Sequence, residues 1–165
     1  MVLGVAGGNG LEHVKAEKYR TVYGVDINKD YLQAASERHK NVGDVLQFIR
    51  ADLTCNSVAL PKAELVIANL LIEYIGYPNF MNVVRQVDPQ YVSCVIQINT
   101  DEGKWVSESP YIHAFDGLDS VHCQMEEKTL SENLTRLGYY RIFKESVLLP
   151  NGKALLRLDY GRERK

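Results

Sequence analysis

Three polar residues directly follow apolar segments of the chain, at positions where strands of a parallel sheet would end. They are Asp26, Asp52 and Asn69. A carboxylate at such a strand end can accept hydrogen bonds from both hydroxyls of a ribose, and a second carboxylate can accept one from the exocyclic amine of adenine. An asparagine beside them can hydrogen-bond the same ligand. These residue types at this spacing therefore favour the binding of an adenine nucleoside.

Each of the three residues also suits a purely structural role. Asp26 could cap the helix that follows it, and Asp52 could cap the segment after Thr54. Asn69 could cap a turn at the end of its strand. In the binding interpretation, Leu53 would pack on the adenine ring beside Asp52.

A glycine-rich turn adds to the case for a nucleotide-like cofactor. The apolar residues 1–6 run into the glycine-rich residues 7–10, after which Leu11 and Val14 begin a helical pattern. A buried strand that ends in such a turn and leads into a helix brings backbone N–H groups, and no bulky side chains, against a ligand.

Apolar strand-like segments alternate with helix-like segments along most of the chain. Strands are predicted over residues 1–6, 21–25, 45–51, 63–70 and 91–98, and helices over residues 11–19, 28–39 and 80–87. Asn28 is the predicted N-cap of the second helix. Because the strands are apolar throughout and separated by helices, they predict a doubly wound α/β fold, in which a mostly parallel sheet carries helices on both faces.

The C-terminal part of the chain predicts an antiparallel pair of strands. An amphipathic helix over residues 125–137 is closed by Gly138, and strand-like residues 140–149 and 153–160 follow it. The two runs are joined by Pro-Asn-Gly, and a tight Asn-Gly link between strand-like runs indicates a hairpin. The sheet is therefore predicted to end on antiparallel strands.

Length and composition narrow the class of protein. The 165 residues suit one domain, and 45% hydrophobic residues suffice for a full core. A formal net charge of -2 without a basic stripe argues against nucleic acid, and no apolar stretch reaches the ~20 residues of a membrane helix. Cys55, Cys94 and Cys123 form neither a disulfide framework nor a zinc pattern. We therefore expect a cytoplasmic protein with reduced thiols and no metal site.

The order of these elements and motifs resembles the class I (Rossmann-like) S-adenosylmethionine-dependent methyltransferases over nearly the whole chain. The first motif of that family reads acidic-x-Gly-x-Gly-x-Gly, and residues 4–10 read Gly-Val-Ala-Gly-Gly-Asn-Gly. Gly8 and Gly10 match the family's glycines, and Ala6 replaces the first glycine. Gly4 replaces the acidic residue, which in the family helps to organise the methionine end of the cofactor.

The resemblance implies S-adenosylmethionine as the cofactor and assigns residues to it. Asp26 would bind the ribose, Asp52 would lie beside the adenine, and Asn69 occupies the family's motif after the fourth strand. The implied cofactor-binding residues are Val5, Ala6, Gly8, Gly10, Asp26, Ile27, Asp52, Leu53, Asn69 and Leu70. The resemblance also implies a seven-stranded sheet in the order 3-2-1-4-5-7-6 with an antiparallel last strand.

Methyl transfer, which the resemblance implies, is an in-line displacement on an activated donor. The protein mainly has to align the nucleophile with the methyl group and exclude water, and a general base is needed only for a protonated acceptor. The sequence singles out no such catalytic residue. Candidate substrate-binding residues are Glu73 and Tyr74, just beyond the fourth strand, and Trp105, Tyr111 and His113, in a later irregular stretch. Glu73 and Tyr74 could instead be loop residues that pack the lip of the pocket. Trp105, Tyr111 and His113 could cover a sheet edge or form a subunit contact.

The start of the chain bears on activity. Residue 1 already lies in the predicted first strand, whereas members of the resembled family have one or two helices before it. We expect a single domain over residues 1–165 that lacks these N-terminal cap helices, either as a minimal member or with a truncated start. An open pocket would favour weak cofactor binding or completion by a second subunit.

Three functions stay open on the sequence. The first is a methyltransferase acting on a small molecule, and the second is a non-catalytic S-adenosylmethionine-binding or interaction module on the same fold. The third, an NAD-dependent oxidoreductase, is disfavoured because His13 stands at the third position of the fingerprint Gly-x-Gly-x-x-Gly, where a ring would obstruct helix–strand packing. We expect a small-molecule substrate, neither a membrane nor a nucleic acid as partner, and a homodimer as an open alternative to a monomer.

Overall fold

The computed structural model describes residues 1–55, 58–99, 124–150 and 152–163, with the backbone alone at Asn99. The strands are β1 (Val2–Leu3), β2 (Val22–Asp26), β3 (Leu46–Arg50), β4 (Leu65–Asn69), β5 (Tyr91–Asn99), β6 (Tyr140–Leu148) and β7 (Lys153–Gly161). The helices are α1 (Lys29–Arg38), α2 (Ile72–Val87) and α3 (Glu127–Arg136), with 3-10 helices at Leu11–His13 and Lys40–Val45.

Within the described residues, seven strands form one sheet in the order β3-β2-β1-β4-β5-β7-β6. The first five strands pair in parallel, whereas β7 lies antiparallel between β5 and β6. The predicted strand order and the C-terminal antiparallel hairpin are therefore confirmed. β1 is shorter than predicted because the backbone turns at Gly4, whose φ is +65°.

The two faces of the sheet bury separate apolar clusters. The larger cluster joins Val25 to Phe80 of α2 and Leu130 of α3, and the smaller joins Val22 to Leu32 of α1. Because Val22 and Val25 lie an odd number of positions apart in one strand, their side chains point to opposite faces. The prediction of helices on both faces is confirmed.

α1 begins where the sequence predicts. The side chain of Asn28 accepts hydrogen bonds from the backbone N–H groups of Asp30, at 2.9 Å, and Tyr31, at 3.2 Å. This cap satisfies two of the unpaired donors at the helix start. Leu32 and Ala35 form the buried face of the helix, which fixes α1 against β2 and β3.

α2 is longer than the predicted helix over residues 80–87. It begins at Ile72, is interrupted at Gly76, where φ is +75°, and continues to Val87. Pro78 is tolerated because the interruption places it in the first turn of the second segment, where no helical N–H is needed. The early start brings residues just after β4 into a helical turn at the carboxyl edge of the sheet.

The predicted helix over residues 11–19 is wrong. Residues Leu11–His13 form a single 3-10 turn, and Val14 leaves it with an extended backbone at φ -72° and ψ 123°. Leu11 is the one buried residue of this turn, and its charged neighbours are exposed. Because the segment has little apolar surface to bury, a first turn is not propagated into a helix.

Two further observations bear on the class of protein. Cys55 is exposed and Cys94 is buried, and both are free thiols; Cys123 lies outside the described residues. In the part of the chain that the structure describes, no helix is both long and apolar enough to cross a membrane.

Candidate functional site

The carboxyl ends of the parallel strands form one edge of the sheet. The strand order reverses between β1 and β4, since β2 and β3 lie on one side and β5 on the other. In an open α/β sheet, ligands bind in the crevice outside the strand ends at such a switch point. The turn over residues 4–10 follows β1, Asp26 ends β2 and Asn69 ends β4, so these predicted residues share that crevice.

Asp26 joins the turn after β1 to the end of β2. Its Oδ2 atom accepts a hydrogen bond from the backbone N–H of Ala6 at 2.8 Å, and its Oδ1 atom accepts one from Asn28 at 2.9 Å. Each carboxylate oxygen can accept a further hydrogen bond. Asp26 therefore orients the turn and the start of the following loop, whereas the helix cap proposed as its structural alternative is supplied by Asn28. Its carboxylate keeps the lone pairs that a ribose would need.

Two non-glycine residues at this edge have left-handed backbones. Ala6, after β1, has φ +46°, and Leu70, after the neighbouring β4, has φ +53°. The N–H of Leu70 donates to the carbonyl of Val95 at 2.8 Å, which holds the turn in place. Such strained residues concentrate at ligand-binding edges because the surrounding structure imposes their conformation.

Gly8 brings the turn into close contact with α1. A Cβ atom on Gly8 would stand 3.0 Å from Cβ of Ala35 and 3.0 Å from the ring of His39. The buried His39 donates its Nε2–H to the carbonyl of Gly8 at 2.8 Å, since a carbonyl oxygen can only accept. The sequence interpretation gave His39 no role, because the contact joins residues 31 positions apart.

The turn uses several of its own backbone N–H groups. Those of Ala6, Gly8 and Gly10 donate to Asp26, to the carbonyl of Val5 and to the carboxylate of Glu12. Hydrogen bonds from its own amide and from that of Gly10 lower the pKa of Glu12. Fewer backbone N–H groups of this turn are therefore free to bind a ligand than the sequence indicated.

Asp52 lies two residues beyond β3, and its carboxylate is hydrogen-bonded to the residues that follow it. Its Oδ1 atom accepts hydrogen bonds from the backbone N–H of Thr54 at 2.9 Å and from the Thr54 hydroxyl at 2.6 Å. The thiol of Cys55 lies 3.4 Å from Oδ2. The hydroxyl and amide of Thr54 lower the pKa of Asp52. This is the capping role that the sequence left open, and among the described residues Oδ2 has a weak thiol donor as its partner.

The apolar residues assigned to the site differ in exposure. Val5 is buried in the smaller cluster, so only its backbone can reach the crevice. Ile27, next to Asp26, is 57% exposed, and Leu70 is 42% exposed. Leu53 is half-buried and packs on the larger cluster. Ile27 and Leu70 therefore offer apolar surface on either side of the turn.

Glu73 is the most unusual side chain of this edge. It is only 2% exposed, and its Oε1 atom accepts a hydrogen bond from the backbone N–H of Gln97 at 2.8 Å. Its buried Oε2 atom has no hydrogen-bond partner in the described residues. Burial raises the pKa of Glu73, and the hydrogen bond from Gln97 only partly offsets this. A buried acceptor without a donor is unusual in a folded protein.

The remaining substrate candidates divide into described and undescribed residues. Tyr74 is half-buried beside Glu73, and burial, followed by the charge of Glu73, raises the pKa of its hydroxyl. Trp105, Tyr111 and His113 lie outside the described residues. Among the residues that the structure does describe, there is no group of three or more side chains that could hold a metal ion.

Comparison of the sequence with protein families identifies one related family. A family model described as a methyltransferase domain matches residues 2–88, which include β1 to β4, α2 and every candidate residue from Val5 to Tyr74. A search of curated proteins finds no match to this sequence.

Solved structures with the same fold extend the likeness to almost the whole chain. An S-adenosylmethionine-dependent methyltransferase from Methanosarcina mazei is 14% identical with a TM-score of 0.69, over 99% of this chain and 92% of that one. One from Mesorhizobium loti is 16% identical with a TM-score of 0.71, over 98% and 89%. Magnesium protoporphyrin IX methyltransferase from Synechocystis, solved with bound S-adenosylmethionine, is 14% identical with a TM-score of 0.65, over 98% and 68%. At these identities the likeness is one of fold.

Proposed function

The chain belongs to the methyltransferase-domain family, and from this premise we propose that it transfers a methyl group from S-adenosylmethionine to a small-molecule acceptor. The observation that carries the proposal is the hydrogen bond from Ala6 to Asp26 at the switch point of the sheet. This hydrogen bond holds the glycine-rich turn next to a carboxylate that can accept further hydrogen bonds. That pair is what recognition of a ribose at this edge requires.

The residues that would hold the cofactor lie along the strand order. Asp26 would accept hydrogen bonds from the ribose hydroxyls, with Ile27 beside it. Asp52 and Leu53, beyond β3, would contact the adenine. Asn69 and Leu70, beyond β4, would line the opposite side of the crevice. The turn over residues 4–10 lies between them and presents backbone in place of bulky side chains.

The chemistry divides between cofactor and protein. S-adenosylmethionine, when bound, supplies a methyl group that its sulfonium has already activated. The protein has to hold the acceptor in line with that methyl group and exclude water. The exposed apolar side chains of Ile27 and Leu70 and the half-buried Tyr74 suit the second task. A protonated acceptor would additionally need a base, and no described residue is assigned to that role.

The charge of the edge argues against a dinucleotide cofactor. Asp26, Asp52 and Glu73 are all carboxylates that lie at or just beyond the ends of strands, and Glu73 is buried there. A pyrophosphate would add two negative charges to this edge, whereas a sulfonium and an ammonium group complement it. This supports S-adenosylmethionine over NAD.

A non-catalytic S-adenosylmethionine-binding module is the second candidate function. The engaged amides of Ala6, Gly8 and Gly10 favour it, because a turn that satisfies its own donors is stable without a ligand. Incubation with methyl-labelled S-adenosylmethionine and a metabolite extract separates the two candidates. Label in a small-molecule product supports the transferase, and persistent absence of transfer from a protein that binds the cofactor supports the module.

Location and partners follow from the same proposal. A cytoplasmic protein would keep the free thiols of Cys55 and Cys94 reduced, and a formal net charge of -2 gives no reason to expect nucleic acid or anionic membrane as a partner. A homodimer that closes the crevice stays an alternative to a monomer. Size-exclusion chromatography with light scattering distinguishes these states.

A further inference from the structure

A side chain at position 4, just after β1, would be strained in this fold. Gly4 has φ +65°, and a Cβ atom there would lie 2.9 Å from Cδ1 of Leu71. Leu71 is the N-cap residue of α2, two positions after the end of β4, and its side chain occupies this space. Because position 4 is glycine, a charged group that serves this part of the crevice has to come from another position.

The register of β4 and β5 shows where Glu73 stands. Asn69, the last residue of β4, pairs with Val95, whose carbonyl accepts a hydrogen bond from Leu70. Two residues further along β5, the N–H of Gln97 donates to Oε1 of Glu73. The carboxylate thus takes the place that the next carbonyl of β4 would occupy, ~7 Å beyond Val95 along the strand. Glu73 therefore stands just beyond the carboxyl end of β4, beside β5, and β4 is the strand that borders β1 at the switch point.

The free oxygen of Glu73 calls for a hydrogen-bond donor. Oε2 is buried without a partner in the described residues, although Glu73 as a whole is held in place through Oε1. An unpaired buried acceptor costs free energy that a donating ligand would recover. A cationic donor would recover most, because its charge also offsets the desolvation of the carboxylate.

We propose that Oε2 of Glu73 binds the α-ammonium group of S-adenosylmethionine, an inference that rests on the proposed function. The ammonium group has three N–H donors, whereas the sulfonium has none, so of the two cationic groups only the ammonium can donate to the unpaired oxygen. β1 lies between β2 and β4, so the end of β4 is two strand spacings, ~10 Å, from the end of β2, where Asp26 stands. With the ribose at Asp26, the amino-acid chain of the cofactor extends across β1 toward Glu73.

Substitution of Glu73 by Gln tests this assignment. The amide keeps an oxygen for the N–H of Gln97 but replaces the second carboxylate oxygen by a donor. In calorimetric titration, we expect Glu73→Gln to weaken the binding of S-adenosylhomocysteine at least tenfold. The affinity for 5′-methylthioadenosine, which lacks the amino-acid end, should change by less than twofold. Glu64→Gln, at an exposed site just before β4, is the matched control and leaves both affinities unchanged.

The outcomes separate this inference from the proposed function. Equal weakening of both ligands, or no weakening of either, overturns the assignment of Glu73. Failure of the wild-type protein to bind either ligand overturns the proposed function instead. A second measurement uses the wild-type protein alone: its affinity for S-adenosylhomocysteine must exceed that for the analogue without the α-amino group by at least tenfold. Equal affinities contradict the proposal even if Glu73→Gln fails to fold.

Discussion

The backbone N–H of Ala6 donates to the carboxylate of Asp26 at 2.8 Å, and this contact joins the ends of β1 and β2. The other oxygen of Asp26 binds the N–H of Asn28, which caps α1. One side chain thus sets the position of the glycine-rich turn and of the following helix. Loss of that carboxylate would disturb the turn as well as the proposed ribose site.

The left-handed backbone of Ala6 predicts that glycine stabilises the protein at this position. Ala6 has φ +46°, a conformation that costs an L-residue ~1 kcal/mol more than glycine. We expect Ala6→Gly to raise the free energy of unfolding by ~0.5–1 kcal/mol in urea titration. Ala34→Gly, at an exposed position inside α1, is the control and should lower it by ~1 kcal/mol. Destabilisation by Ala6→Gly would contradict the strain described for the turn.

The close contact of Gly8 with α1 predicts a large effect of a single methyl group. Gly8→Ala must place its Cβ against Ala35 and His39 at a φ of +82°. We expect a loss of ~2–4 kcal/mol in the free energy of unfolding, from backbone strain and overpacking together. Gly7→Ala serves as the matched control, since no heavy atom beyond its two chain neighbours lies within 4 Å of its Cβ position and its φ is not positive. Similar stability of the two variants would show that the turn does not pack on α1 as described.

The buried carboxyl of Glu73 predicts a pH-dependent stability. Burial raises its pKa in the folded protein above that of an unfolded glutamate, ~4.3. The protonated Glu73 carboxyl therefore contributes stability that is fully present below the pKa of the unfolded state. This contribution is lost as the pH rises through the pKa of the folded state, because the buried carboxyl then ionises. Glu73→Gln cannot ionise, so its stability relative to wild type should increase across that window and level off above it.

Urea titration of both proteins between pH 4 and pH 8 measures this difference. Other titrating groups cancel because they are common to the two proteins. A difference that stays constant with pH would mean that Glu73 ionises in the folded state as it does in the unfolded state.

Much of the fold could be predicted from the sequence because its signals are local. The cap at Asn28, the end of α3 just before Gly138 and the strand hairpin each depend on a few neighbouring residues. The helix expected over residues 11–19 failed because its apolar positions are too few, and tertiary burial did not supply the missing support. The first half of α2 was not predicted as a helix, because residues 72–75 are few and are followed by Gly76 and Pro78, which interrupt a helical pattern.

The residues of the candidate site at strand ends could be predicted from the sequence. Its contacts between residues far apart in the chain could not. Asp26 and Asn69 follow apolar strands, which the sequence displays directly. The hydrogen bond of His39 to Gly8 joins residues far apart in the chain, so no local pattern indicates it. The burial of Glu73 depends on the register between β4 and β5, which becomes visible only when the sheet is assembled.

Titration of the protein with S-adenosylhomocysteine measures directly whether Asp26 belongs to a cofactor site. We expect saturable binding to wild type and to Asp44→Ala, a control before β3 at the opposite edge of the sheet. Asp26→Ala should bind at least tenfold more weakly, since charge-assisted hydrogen bonds contribute ~1.5–3 kcal/mol. Equal affinity of Asp26→Ala and wild type, or a wild-type protein that gives no saturable binding, would contradict the account.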